Sequence, residues 1–207
     1  MYVPSDFVQS DVAVLHEVMA ANSFATIVSG GKQGLLASHV PVLIDRDRGP
    51  NGVIVAHVAR ANPHWQLFGK GTTLAVFHGP HAYVSPSWYT EPAAMVPTWN
   101  YAVVHVRGMV ELVTDRNQTL AILRQLTERF ESSRPSPWQL QLTGAKLDAM
   151  VGAIVAFRMT IERIDAKFKL SQNRSAEDQE RVIEALRSEG FAEAEVTAGW
   201  MIDARSS

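Results

Sequence analysis

Between Phe24 and Val58 the chain reads as three short β-branched runs separated by tight turns, and no other stretch limits its fold as much. Phe24-Ala-Thr-Ile-Val-Ser29 runs into Gly30-Gly31, and 34–40 resumes as its hairpin partner. Val53–Val58 follows a charged loop, 45–52, that closes on Gly-Pro-Asn-Gly. Short strands in direct succession with Gly-rich turns build an antiparallel sheet or barrel. Pro41 has no N–H to give to a ladder, so it belongs at an edge or a bulge, after which 42–44 continues briefly.

The flanking segments fit around such a sheet. The first ten residues form an extended arm, because Pro4 stops an early helix. Val12, Leu15, Val18 and Met19 recur at helical spacing and predict a helix of about three turns, ended by Asn22-Ser23. Arg60-Ala-Asn-Pro-His64 leads into a short helix over 63–68 with Pro at its first turn. An apolar strand covers 73–78, and 102–113 alternates as a long strand able to bend at Gly108. Leu120, Leu123, Leu126 and Phe130 share one face of a helix opened by Thr114, and the Ser/Pro-rich segment 132–137 breaks it. Residues 138–150 read as a loop with one helical turn, and 153–164 as a last long strand. Ser175 then caps a helix with Asp178 three residues on, Val182, Ile183 and Leu186 inward and Gly190 as its stop. The tail, 191–207, shows no strong period. The expectation is a mainly β (α+β) protein forming a single domain over 1–207, with a barrel at about 24–166 and a C-terminal helical segment at about 175–190.

The totals exclude several function classes. A chain of 207 residues with 46% hydrophobic and 19% charged residues can bury a core without staples and reads as soluble and globular. The net charge of −2 offers no basic field for nucleic acid or an anionic membrane. The lack of cysteine removes thiolate metal sites, cysteine nucleophiles and disulfides together. The N-terminus has neither the basic start nor the apolar run of a signal peptide, so a cytoplasmic protein is expected.

Functional side chains gather in His78–Tyr101, whose 24 residues hold two Trp, three Tyr, two His and four Pro. Lying between two strands, it reads as a loop too Pro-rich for regular structure. Its rings suit either a pocket wall for a flat heteroaromatic ligand or plain capping of the core. His78 and His81 could ligate zinc only with a third His, and no helical His pair occurs. No Gly-x-Ser-x-Gly elbow, Walker loop or Gly-x-Gly-x-x-Gly is present. Arg60 and Asn62, next to a helix start at Pro63, suit an anion. So do Lys167, Lys169 and Arg174, interleaved with Ser171 and Gln172, although the same segment also reads as a solvated helix lead-in. The helix 176–189 sets Arg181 and Arg187 against five acidic residues, which repels a DNA backbone.

Six segments, MYVPSDF, LLASHVPVL, AHVARANPHW, HGPHAYVSPSWY, VPTWNYAVVHVRG and KFKLSQNR, span nearly the whole chain and resemble, in order, the PaiB family of FMN-binding negative transcriptional regulators. The resemblance implies an FMN-binding split β-barrel related to pyridoxamine-phosphate oxidases and flavin reductases. It also implies a homodimer with cofactor sites at the subunit interface, and a link to repression of protease and sporulation genes. By that likeness Arg60, Asn62, Lys167, Lys169, Ser171, Gln172 and Arg174 are the phosphate candidates. Ser85, Trp88, Tyr89, Trp99 and Asn100 are the ring and ribityl candidates. Three functions are thereby in view: an FMN-binding protein whose flavin would carry any hydride chemistry, a repressor that binds DNA directly, and a haem-binding split barrel with a His axial ligand. His39, His78 and His81 are the side chains able to donate a proton near neutral pH.

Overall fold

Eight strands and five α-helices succeed one another in the computed structural model, which describes residues 1–32 and 34–205. The strands are β1 (Val8–Gln9), β2 (Phe24–Gly31), β3 (Gly34–Pro41), β4 (Leu43–Asp45), β5 (Val53–Ala59), β6 (Thr73–Val84), β7 (Thr98–Val113) and β8 (Ile154–Lys169). The helices are α1 (Val12–Ala21), α2 (Arg116–Glu131), α3 (Gly144–Gly152), α4 (Ala176–Ser188) and α5 (Ala192–Arg205). One sheet takes the strands in the order β3-β2-β6-β7-β8-β5-β4, with β1 paired to β8. Among the described residues no helix is long and apolar enough to cross a membrane.

The β2–β3 hairpin runs in register from Phe24↔Pro41 to Gly31↔Gly34. Gly30 and Gly31, expected as the turn, are strand; the chain reverses just beyond them, and Gly34 accepts a φ of +109° that a side chain would resist. Pro41 closes β3, the end strand of the order, where a missing ladder donor costs least. At Gly108 the β7 backbone passes so close to the Thr160 carbonyl oxygen of β8 that any Cβ would collide with it.

The chain divides into two compact units. The first comprises 1–11, 78–104 and 165–207, and the second 12–77 and 105–164. In the second, Val53, Val55, Val113, Ile122, Leu126 and Ala156 make a core cluster with Leu43 packed against it. In the first, Tyr89, Leu170, Val182, Ile183 and Leu186 pack with Ala194, Ala198 and Met201 of α5.

Three further expectations need correction. The stretch 78–101 is not one irregular loop: β6 runs on through His78 to Val84 and β7 begins at Thr98, leaving only 85–97 as loop. Proline is tolerated because Pro80 sits where the strand's burial pattern changes phase. The tail forms a full helix, α5, whose inward face is Ala194, Thr197, Ala198 and Met201. Small residues at i, i+3 and i+4, with Met201 at i+7, carry helical spacing without a strong hydrophobic signal. The cap of α2 is Asp115, which accepts from the Gln118 N–H at 2.8 Å, rather than Thr114.

Candidate functional site

Along β6 the buried positions are Thr73, Ala75 and Phe77, then Ala82 and Val84. Alternation inverts at Gly79-Pro80, the one-residue slip that a bulge produces. The slip puts His78 and His81, three apart, on one exposed wall instead of opposite faces. Gly79 permits it, since a Cβ there would meet Ala102 atoms at 3.2 Å. Within the first unit this wall and β7 enclose an open cleft of about 570 Å³, lined by His78, His81, Trp99 and Tyr101 with Gly79, Ala102 and Val103. Its lining is mostly apolar, and its volume lies in the range of small-molecule sites, about 300–1,000 Å³.

Trp99 is 52% exposed, with the His81 ring 6.2 Å away and the Tyr83 ring edge-on at 6.0 Å. An exposed indole held by two neighbouring rings is a stacking platform rather than core. Beside it the Lys169 ammonium donates to Thr98 Oγ1 at 2.6 Å and to the Trp99 carbonyl at 2.7 Å. Burial pushes the Lys169 pKa below the usual lysine value, and the charges of Lys167 and Arg174 push it further the same way. The Lys167 ammonium lies over the rings of Tyr2, Phe7 and Tyr101 at 5.5–5.9 Å. Among the described residues no carboxylate pairs with Lys167 or Lys169.

Other residues selected from the sequence belong to the same unit but do not line this cleft. Asn100 is fully buried; its amide donates to Ser171 Oγ at 2.9 Å, and the same hydroxyl donates back to Asn100 Oδ1 at 3.2 Å. That exchange holds Ser171 at φ 67°, the sole left-handed non-glycine among the described residues. Gln172 folds back on its own chain, accepting from the Leu170 N–H and donating to the Phe168 carbonyl. Tyr89 is core, 1% exposed, with its hydroxyl unpartnered and Arg174 stacked 5.3 Å from its ring. Ser85 caps the 3-10 turn Pro86–Trp88. Loop 85–97 is tied to α4 twice: Arg181 donates to the Trp88 carbonyl at 2.9 Å, and Asp178 accepts from the Thr90 N–H and hydroxyl. The Thr90 N–H is the main reason the Asp178 carboxyl sits below its usual range.

Arg60 and Asn62 belong to the second unit. The Arg60 guanidinium donates to the carbonyls of Gly152 and Ile154 at 2.6 and 2.8 Å. Asn62 caps the 3-10 turn Pro63–Leu67 through the His64 N–H, and its amide donates to Ser38 Oγ at 2.9 Å. The Ser38 hydroxyl can then donate to His64 Nδ1, also at 2.9 Å. Burial holds the His64 imidazole below its ordinary pKa, and Nε2 has no partner. His78, His81 and Tyr101 lie in the stretch expected as a possible pocket wall, yet none of them is among the ring, ribityl or phosphate candidates. The signal that could have found them is the Gly79-Pro80 pair, which marks a phase slip between two histidines.

The family described as "Putative FMN-binding domain" matches residues 1–163. The chain is 34% identical to the protease synthase and sporulation protein PAI 2 of Bacillus subtilis, over 98% of this chain and 97% of that one. It is 27% identical to an uncharacterized protein of Emericella nidulans, over 92% of each. Among solved structures, the flavocytochrome Anf3 of Azotobacter vinelandii shares the fold with a TM-score of 0.62 at 14% identity, over 78% of this chain and 69% of that one. The FAD and heme binding protein of Mycobacterium smegmatis does so at 0.61 and 14% identity, over 89% and 80%.

Proposed function

Because this chain belongs to the PaiB family of FMN-binding proteins, we propose that its FMN rests in the first-unit cleft, with the ring system on Trp99 and the phosphate toward Lys169 and Lys167. FMN is a planar heteroaromatic joined to a dianionic tail, so its site must supply an apolar ring surface and uncompensated positive charge. The crowding of Lys167, Lys169 and Arg174 beside the exposed Trp99, with the Lys169 pKa pushed down first by burial and then by its two cationic neighbours, is the observation that carries this reading. A phosphate placed there would relieve that repulsion and accept charge-assisted hydrogen bonds. The fit is with this chain's own groups: exposed indole, neighbouring imidazoles, and two lysines that have no carboxylate partner among the described residues.

When bound, FMN supplies one- or two-electron redox chemistry. His78 and His81, exposed on the cleft wall, are the groups able to pass a proton there. Asn100 and Ser171 fix the β8 end from which Lys169 reaches the wall. The cleft is open, so a ring stacked on Trp99 would leave its other face to solvent. A second copy of the chain covering that face makes the protein a homodimer, a state that sedimentation with and without FMN would read. DNA recognition is not part of the proposal: α4 offers Arg181 and Arg187 among an excess of acidic side chains.

The test is the absorption spectrum and thermal transition of purified protein with added FMN. A flavin spectrum altered on binding, with a transition raised by about 2.7 kcal/mol of stabilisation at a hundredfold excess over Kd, is expected. A colourless protein whose melting is indifferent to FMN, or one that instead gives a Soret band with haem, sinks it.

A further inference from the structure

A second cleft, wholly within the second unit, carries a separate ligand chemistry. It measures about 410 Å³ and lies among the C-terminal end of α1, strands β4 and β5, and helix α2. Its floor is apolar, from Ala20, Val42, Leu43 and Val55, and Leu43 and Val55 belong to that unit's core packing. Its mouth is polar, from Ser23, Gln125 and Arg129 together with Asp45 and Arg46.

The charges at the mouth do not cancel evenly. Arg46 is committed to Glu17 at 2.5 Å, and Asp45 lies 4.0 Å from Arg48. Among the described residues Arg129 pairs with no carboxylate, and its side chain makes one hydrogen bond, a long 3.4 Å one from Nη2 to the Ala20 carbonyl at the end of α1, which leaves the rest of its guanidinium fork undirected. Gln125 stands four residues earlier on α2, so the two side chains share one helix face. No hydrogen bond is formed by the Gln125 amide or the Ser23 hydroxyl among the described residues. Three sets of unused donors therefore converge over an apolar floor, and the uncompensated charge among them is positive.

We propose that this cleft binds a small amphipathic carboxylate, its acid group on Arg129 and Gln125 and its hydrocarbon body on Leu43 and Val55. A planar guanidinium takes a carboxylate through two parallel N–H donors, and the neighbouring amide adds a third. The floor has no polar group to satisfy, so the body of the ligand is aliphatic or a single ring. The site needs neither FMN nor the first-unit cleft, and its failure would leave the flavin reading untouched.

Octanoate is the probe, titrated calorimetrically into the full chain, with 1-octanol and inorganic sulfate as the arms that separate chain from charge. Saturable one-to-one octanoate binding is expected, with far weaker binding of either control. Arg129→Gln should weaken it roughly tenfold to a hundredfold, and Arg129→Lys by less, since charge remains without the fork. Ala20→Leu, which fills the floor while leaving Arg129 in place, should also weaken it, and neither change should alter FMN affinity. The proposal is overturned by an absence of saturable octanoate binding, by octanol binding as well as octanoate, or by an Arg129→Gln protein that binds octanoate as the parent does.

Discussion

Lys169 and Arg60 are both cations beside strand ends, yet the chain treats them in opposite ways. Arg60 directs its guanidinium at two backbone carbonyls of its own unit, and the adjoining Asn62, Ser38 and His64 bind one another. Lys169 also donates to the Thr98 hydroxyl and the Trp99 carbonyl, but it is crowded by Lys167 and Arg174 and, among the described residues, no carboxylate pairs with it. Polar groups that satisfy each other hold a fold in shape; polar groups left repelling each other wait for an outside charge. The first arrangement should therefore register in stability and the second in ligand affinity.

Replacing Lys169 with Met would make the largest difference between the two. It should lower FMN affinity roughly tenfold to a hundredfold, the scale of a charge-assisted hydrogen bond, and leave the thermal transition of the apo-protein nearly unmoved. Fluorescence titration against the parent reads the first, and calorimetry the second. Trp99→Ala removes the stacking platform and should weaken FMN about tenfold. An unchanged Kd would move the ring elsewhere. Asn62→Ala should do the reverse, destabilising the fold by about 1–2 kcal/mol through loss of a cap and a half-buried hydrogen bond while FMN affinity stays put. Urea unfolding with matched FMN titrations separates those effects.

A smaller effect comes from pH. Burial holds His57 and His64 below the ordinary value of 6.5, so the unfolded chain takes up protons that the folded one resists. The stability they support is complete above that value and declines as pH falls beneath it. His64→Gln should flatten the acid limb of the melting curve, and an unchanged slope would assign the effect elsewhere. At the other end, FMN affinity should fall as pH rises through the depressed Lys169 pKa, earlier than an ordinary lysine at 10.5 would allow.

Most of the fold was legible in residue pattern. The β2–β3 hairpin, α1, α2 and the Ser175-capped α4 follow from β-branched runs, Gly turns and periodic leucines, because those signals act over a few residues. Helix α5 was hidden, since alanine and threonine fill its inward face and give period without hydrophobic contrast. The strand end at 78–84 was hidden by Pro80, which a phase slip accommodates, and that at 98–101 by Pro97 just ahead of it. Among the residues selected from the sequence, Trp99 lines the first-unit cleft and Lys169 donates to the Trp99 carbonyl. The same selection drew in Tyr89 and Asn100, which are equally aromatic or polar but lie buried. Residue type announces chemistry, whereas exposure is decided by partners distant in the chain, such as Val182 against Tyr89 or Ser171 against Asn100.

The central claim, that FMN is held where charge is uncompensated, is tested most directly by one titration. FMN is added to the parent protein and to Arg60→Met and Lys169→Met side by side, following the flavin absorption band. The account predicts one saturable site per chain, the same affinity for parent and Arg60→Met, and a marked loss for Lys169→Met. Loss of affinity in Arg60→Met with Lys169→Met unaffected would contradict it and place the phosphate in the second unit.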